Sequence, residues 1–255
     1  MSREKILIFS LCALLCTQLI FPNRALSVGK NYILLVDDFD HGKMFNLLGG
    51  KTQGDEEKPG GCIPSFTKKD SQIYGRSGGS LKLDFDVSVT NSFSYYWSKL
   101  SSKYPTKVED ETVDVIALKD LSDYDYLSFW LLDPQGGIDF TVELHQDVDE
   151  DGVYIIGRDI TSSVGILRYY SKNMVGKWQK IVIPTSHFKG ITDWKKIIEL
   201  VFVFRNGHGI PKGMVYIDDI LFGKGYEESL KVDPTTPISA PNRTTFKSDG
   251  ENLSD

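Results

Sequence analysis

Two short acidic segments, one near each end of the chain, hold carboxylates in patterns that could bind a cation. Val36-Asp37-Asp38-Phe39-Asp40-His41-Gly42 and Val215-Tyr216-Ile217-Asp218-Asp219-Ile220-Leu221-Phe222-Gly223 each set consecutive aspartates inside apolar, strand-forming residues. Carboxylates are poor strand formers and costly to bury, so something must neutralise them. A shared cation that pins the first and last strands together is one reading; two polar strand edges in solvent is the other. Calcium takes six to eight oxygens, mixing carboxylates with backbone carbonyls. Alternate strand residues share a face, so Asp38 and Asp40 can point together while Phe39 enters the core. With Asp219 they form the first proposed ligand set, with a structural role for the ion.

A third acidic run, Asp147-Val148-Asp149-Glu150-Asp151-Gly152, places acids first, third and fifth with glycine sixth, which copies the opening of a calcium loop. The twelfth position of such a loop supplies a bidentate glutamate, and here it is Arg158. The flanks read as strands rather than helices. Asp147, Asp149 and Asp151 are therefore either a truncated calcium loop capping a hairpin or an acidic, solvated turn.

Catalytic chemistry finds less support. Glu143 and Asp147 could flank a glycosidic bond, but 35 acidic residues offer many such pairs. No Gly-x-Ser-x-Gly nucleophile motif occurs, and the four histidines, His41, His145, His187 and His208, are not spaced as a zinc site.

The elements that would position these groups repeat with period two. Ser80-Leu81-Lys82-Leu83-Asp84-Phe85-Asp86-Val87 and Ile138-Asp139-Phe140-Thr141-Val142-Glu143-Leu144-His145 alternate polar and apolar residues, burying one face and wetting the other. Further strands are expected at 127–132, 153–158, 166–170, 180–183, 198–204 and 214–222. Turn signals separate them at Asp133-Pro134-Gln135-Gly136-Gly137, Asp151-Gly152, Asn206-Gly207 and Pro211-Lys212-Gly213. No segment offers a long amphipathic helix. Many short strands with regular turns predict an all-β fold, a two-sheet antiparallel β-sandwich.

Residues 1–27 read as a secretory signal peptide: Arg3 and Lys5, an apolar run from Ile6 to Phe21, then the small-residue exit Ala25-Leu26-Ser27. An uncleaved anchor is the competing reading; cleavage would leave no stable membrane span. The folded domain is expected over 28–225. Residues 226–255, with Pro234, Pro237 and Pro241, have the composition of a disordered polar tail. Cleavage leaves Cys62 as the single cysteine, so no intramolecular disulfide can form. The formal net charge of −6, with acids and bases interspersed, argues against a nucleic-acid partner.

An ordered set of motifs resembles one known group. Asp37-Asp38-Phe39-Asp40 with Asn46-Leu47-Leu48-Gly49-Gly50 opens like the family 11 carbohydrate-binding modules and the related complex I intermediate-associated protein domains. Leu121-Ser122-Asp123-Tyr124-Asp125-Tyr126-Leu127-Ser128-Phe129-Trp130 is similar to the same group, as is Trp178-Gln179-Lys180-Ile181-Val182-Ile183-Pro184 with Phe188-Lys189. Tyr216-Ile217-Asp218-Asp219-Ile220 completes the pattern. The resemblance spans nearly the whole folded part. It implies a galactose-binding-like jelly roll with a structural calcium and a sugar-binding concave sheet.

Such a sheet stacks aromatic rings on the apolar face of a pyranose and turns charged and amide groups to its hydroxyls. Tyr95-Tyr96-Trp97 is the best aromatic cluster, with Tyr95 and Trp97 as the candidate contacts. Glu143 and His145 face outward from the strand that buries Phe140, Val142 and Leu144. Arg205 does so by parity with Phe202 and Phe204, and Arg168 is a further candidate. Two departures are visible: Gly190-Ile191-Thr192-Asp193-Trp194 lacks the arginine–aspartate–tyrosine stretch of the glucan-binding members, and Lys51-Thr52 stands where an aromatic often follows the first Gly-Gly. The reading is an exported, non-catalytic polysaccharide binder. A protein-interaction domain is the alternative, and a jelly-roll polysaccharide-cleaving enzyme a more distant one.

Overall fold

The computed structural model describes residues 33–55, 60–75, 78–108 and 111–225. The segments read as signal peptide and tail lie outside these residues. Thirteen strands follow in chain order: β1 (Ile33–Asp37), β2 (Thr52–Gly54), β3 (Gly61–Thr67), β4 (Ser80–Asp86), β5 (Phe93–Lys99), β6 (Ser102–Val108), β7 (Glu111–Ala117), β8 (Tyr126–Leu132), β9 (Phe140–Gln146), β10 (Ile160–Gly165), β11 (Trp178–Pro184), β12 (Ile197–Arg205) and β13 (Lys212–Gly223). One sheet has the order β11-β8-β13-β4-β3, with β1 also paired to β13; a second has the order β10-β9-β12-β5-β2. β6 and β7 form a separate two-stranded ribbon. Every strand pair is antiparallel. The expected two-sheet antiparallel β-sandwich is thus present.

The period-two pattern is what closes it. In β4 the residues Leu81, Leu83 and Phe85 are buried, and in β9 so are Phe140, Val142 and Leu144. They meet Leu127, Phe129 and Leu131 of β8, Ile217 and Phe222 of β13, and Phe202 and Phe204 of β12 in one core. Rings bridge the layers, with Phe85 stacked on Phe204 at 4.2 Å between centroids and Phe129 tilted against Phe202 at 5.3 Å. Each such side chain contributes about 1.5–3 kcal/mol of burial.

Three local expectations are corrected. Residues 153–158 are not a strand: Gly157 takes φ +87°, and both oxygens of Asp159 accept amide hydrogens from Val148 and Ile155 at 3.0 and 2.7 Å, which folds the run into a loop. Residues 166–170 are not a strand either. Ile166–Arg168 is a 3-10 turn in which the Ile166 carbonyl accepts both the Tyr169 and Tyr170 amides, and the strand lies before it as β10. In β13 the register slips between Asp218 and Leu221, and Asp219 takes φ +48°. That bulge moves Ile220 into the core and breaks the parity that set Asp219 on one face with Ile217 and Leu221.

Candidate functional site

The outward row of the second sheet can be read off its register. On β5, Phe93, Tyr95, Trp97 and Lys99 alternate with the buried Ser94, Tyr96 and Ser98. Across β12, Trp97 faces Val201, Tyr95 faces Val203, Lys99 faces Glu199 and Phe93 faces Arg205. Across β9, Glu199 faces His145, Val201 faces Glu143 and Val203 faces Thr141. Ser163 and Thr161 of β10 extend the Glu143 and His145 rows, and Gln53 of β2 flanks Trp97. Strands ~4.8 Å apart put β5 and β9 roughly 10 Å from each other.

Three rings therefore run along β5 at alternate positions. Phe93 and Tyr95 lie 6.1 Å apart at an interplanar angle of 22°, Arg205 sits over Phe93 at 5.6 Å, and Lys51 over Trp97 at 5.9 Å. Phe93 is 52% exposed, while Tyr95 and Trp97 are half-buried. The strand is held at its far end by Asn46, whose carboxamide donates to Ser98 Oγ at 2.8 Å and the Lys99 carbonyl at 2.7 Å while accepting the Leu48 and Gly50 amides. Gly50 is required there, since a Cβ would lie 1.8 Å from the Lys99 carbonyl oxygen.

Beside the rings runs a chain of charges. Arg205 Nη2 donates to Glu143 Oε1 at 3.2 Å, His145 Nε2 stands 3.5 Å from Glu143 Oε2, and His145 Nδ1 stands 3.2 Å from Glu199 Oε2. Lys99 Nζ continues it, 3.8 Å from Glu199 and donating to the Gly152 carbonyl at 3.1 Å. Burial alone would lower the His145 pKa, but the hydrogen bonds to Glu143 and Glu199 outweigh it and hold the ring above its ordinary value. Glu143 is lowered: burial alone would raise it, but His145 and Arg205 together hold it below its ordinary value.

The structure thus brings Tyr95, Trp97, Glu143, His145 and Arg205 onto one face. Arg168 lies elsewhere in the chain's path, exposed in the turn that follows β10. Sequence reasoning missed Tyr154, whose ring stacks on His145 at 3.8 Å and whose hydroxyl shares a hydrogen bond with Thr161 Oγ1. It also missed Phe93, Glu199 and Lys99. The alternation along β5 and β12 was the signal for those three; nothing local marks Tyr154, because 153–158 has a strand's composition.

The proposed cation ligands behave differently. Among the described residues, Asp38, Asp40 and Asp219 do not gather as a carboxylate cluster. Asp38 Oδ1 accepts the Asp40 amide at 3.2 Å and Asp40 Oδ1 the Gly79 amide at 2.9 Å. The buried carboxylates are their neighbours. Asp218 takes the Tyr74 amide at 3.1 Å and the Ser80 hydroxyl at 2.8 Å. Asp37 accepts the Phe39 amide at 2.9 Å beside His41, and burial pushes its pKa up to about 6. Neutral amides and a hydroxyl, with His41 beside Asp37, are donors that these two buried carboxylates meet. The Asp147, Asp149 and Asp151 oxygens do converge, within 4.8 Å of one another. Yet Arg158 Nη1 already bridges Asp149 and Asp151 at 3.0 and 2.8 Å, so an added cation does not fit without displacing it.

Residues 64–224 match the family model for carbohydrate binding domain 30. Similar solved structures include a family 30 carbohydrate binding module (22% identity, covering 62% of this chain and 74% of that one, TM-score 0.46). The family 30 module of the cellulosomal cellulase Cel9D-Cel44B of Clostridium thermocellum is similar at 18% identity, covering 77% and 99%, TM-score 0.48. A family 11 module from Clostridium thermocellum, solved with a β-1,3-1,4-mixed-linked tetrasaccharide, is similar at 16% identity, covering 76% and 97%, TM-score 0.46. No curated protein matches the chain. Because the matched region takes in more than half of the 255 residues, this protein belongs to the carbohydrate binding domain 30 family.

Proposed function

We propose that this protein is an exported, non-catalytic module that binds a polysaccharide across the outer face of the β10-β9-β12-β5-β2 sheet. The observation that carries the reading is the row Phe93, Tyr95 and Trp97 on β5, set beside the charge chain from Arg205 to Lys99 on one surface. Flat rings at alternate positions suit successive apolar sugar faces, while fixed carboxylates and cations suit hydroxyls, which both donate and accept. Because Glu143 and His145 are already held by their neighbours, the face is largely formed before ligand arrives, which reduces the ordering cost of binding.

The same geometry favours binding over cleavage. Asp147, the partner Glu143 would need, is fully buried, and its two oxygens accept the Glu150 and Gly152 amides, each at 2.7 Å. Export rests on the sequence of residues 1–27. A protein-docking face would favour a flat apolar patch with few charges, whereas here ionised side chains flank the rings.

Affinity electrophoresis on soluble polysaccharides, followed by calorimetry with the mixed-linkage tetrasaccharide, tests the reading. Trp97→Ala should weaken whatever glycan binds by about 2 kcal/mol, roughly 30-fold, with little change in thermal stability. A folded protein silent on every polysaccharide would contradict it.

A further inference from the structure

The loop between β9 and β10 has the acidic spacing of a cation site, but its counter-charge belongs to the chain. Arg158, twelfth from Asp147, directs Nη1 to Asp149 and Asp151 at 3.0 and 2.8 Å. Its Nη2 donates to the Val153 carbonyl at 2.8 Å and lies 3.4 Å from Asp159 Oδ2. A guanidinium is a planar fork of five donors that stays charged at any physiological pH, so it can bridge two carboxylates and a carbonyl at once.

We propose that Arg158 serves as the resident cation of this loop, and that the loop so clamped sets Tyr154 against His145 as one wall of the ligand face. Both neighbours of Tyr154 are tied to the clamp. The Val153 amide donates to Asp151 Oδ1 at 2.8 Å and its carbonyl accepts from Arg158. The Ile155 amide donates to Asp159 Oδ2 at 2.7 Å, the same oxygen that faces Arg158. Between these two fixed points the Tyr154 ring lies on His145. Upstream, Gly152 gives its amide to Asp147 Oδ2 and its carbonyl to Lys99, which joins the loop to the charge chain of the face. Arg158 is then a positioning residue, acting through Tyr154. Only the Tyr154 half of the inference rests on the outer face being the glycan site.

The clamp is tested without any glycan. Amide hydrogen exchange over residues 152–156 and thermal unfolding are measured for the protein, Arg158→Met and Arg158→Lys, in EDTA and in millimolar calcium. The unsubstituted loop should be equally protected in both. Arg158→Met should exchange the Val153 and Ile155 amides about tenfold faster or more, and calcium, finding three unneutralised carboxylates, should restore part of that protection. Arg158→Lys should fall between. Calcium protection of the unsubstituted loop, or unchanged exchange in Arg158→Met, would overturn the clamp. For the second half, Arg158→Met and Tyr154→Ala should each weaken tetrasaccharide binding by roughly three- to tenfold, the double variant being no weaker than Tyr154→Ala alone. Additive losses would overturn the coupling to Tyr154. A slow-exchanging clamp in a protein that binds no glycan would support the first half and remove the second.

Discussion

The two outer faces of the sandwich carry the same kinds of residue and use them in opposite ways. On the sheet that holds β8 and β11, Trp130 and Trp178 point outward, but Tyr74 lies over them, 3.8 Å from the first ring and 6.0 Å from the second. The Tyr74 amide is fixed by Asp218 beneath it, and Trp130 is left 8% exposed. On the other sheet, Phe93 is 52% exposed, and Tyr95 and Trp97 are half-buried. The buried carboxylate follows the same division. Asp218 is fully buried beneath Tyr74, whereas Glu143, 8% exposed, is held by Arg205 and His145 within a charged row. Aromatics alone do not distinguish the two faces; the Tyr74 ring laid over Trp130 and Trp178 does.

The sharpest way to break this contrast is to cut one tryptophan from each face. Trp130→Ala removes a packed ring and should cost about 3–5 kcal/mol of stability, read by denaturant or thermal unfolding, with glycan affinity per folded molecule unchanged. Trp97→Ala should do the reverse, losing the ~30-fold in affinity given above at a stability cost under about 1 kcal/mol. If both variants lost stability equally, the face of β5 would be a packing surface too.

A smaller effect comes from pH. His145 is held above its ordinary value of 6.5 in the folded state. Its contribution to stability is therefore complete below about pH 6.5 and lost as pH rises through the raised value. The stability advantage over His145→Gln should shrink as pH rises from about 6.5 through the raised value, by roughly 1 kcal/mol. Thermal unfolding of the two proteins across that range measures it, and an advantage that grew with pH would reverse the assignment.

Much of this was legible in the chain because a sheet's period of two is strict. The alternation at 80–87 and 138–145 marks the core strands, and the same parity sets Glu143, His145 and Arg205 on the side of the sheet away from the core, although Glu143 and His145 are buried there. Parity fails wherever a strand is irregular. The bulge after Asp218 transferred burial from Asp219 to its neighbour, and Asp218 accepts the Tyr74 amide and the Ser80 hydroxyl, more than a hundred residues away. The run at 153–158 reads as a strand by composition, yet the bonds from Arg158 and Asp159 to nearby backbone hold it as a loop. Only the opposite charge at the loop's first and twelfth positions hinted at that outcome. β6 and β7 carried no signal strong enough to be read as strands, and among the described residues they pair with each other as a separate ribbon.

The central claim is that glycan is held on the outer face of the β5 sheet. The direct test is an NMR titration of the isotope-labelled protein with the mixed-linkage tetrasaccharide, following backbone amides and the indole N–H groups. The account predicts shifts concentrated at β5, β9 and β12, with the Trp97 indole moving and the Trp130 and Trp178 indoles still. Shifts centred on β4, β8 and β13, with the β5 rings unmoved, would contradict it.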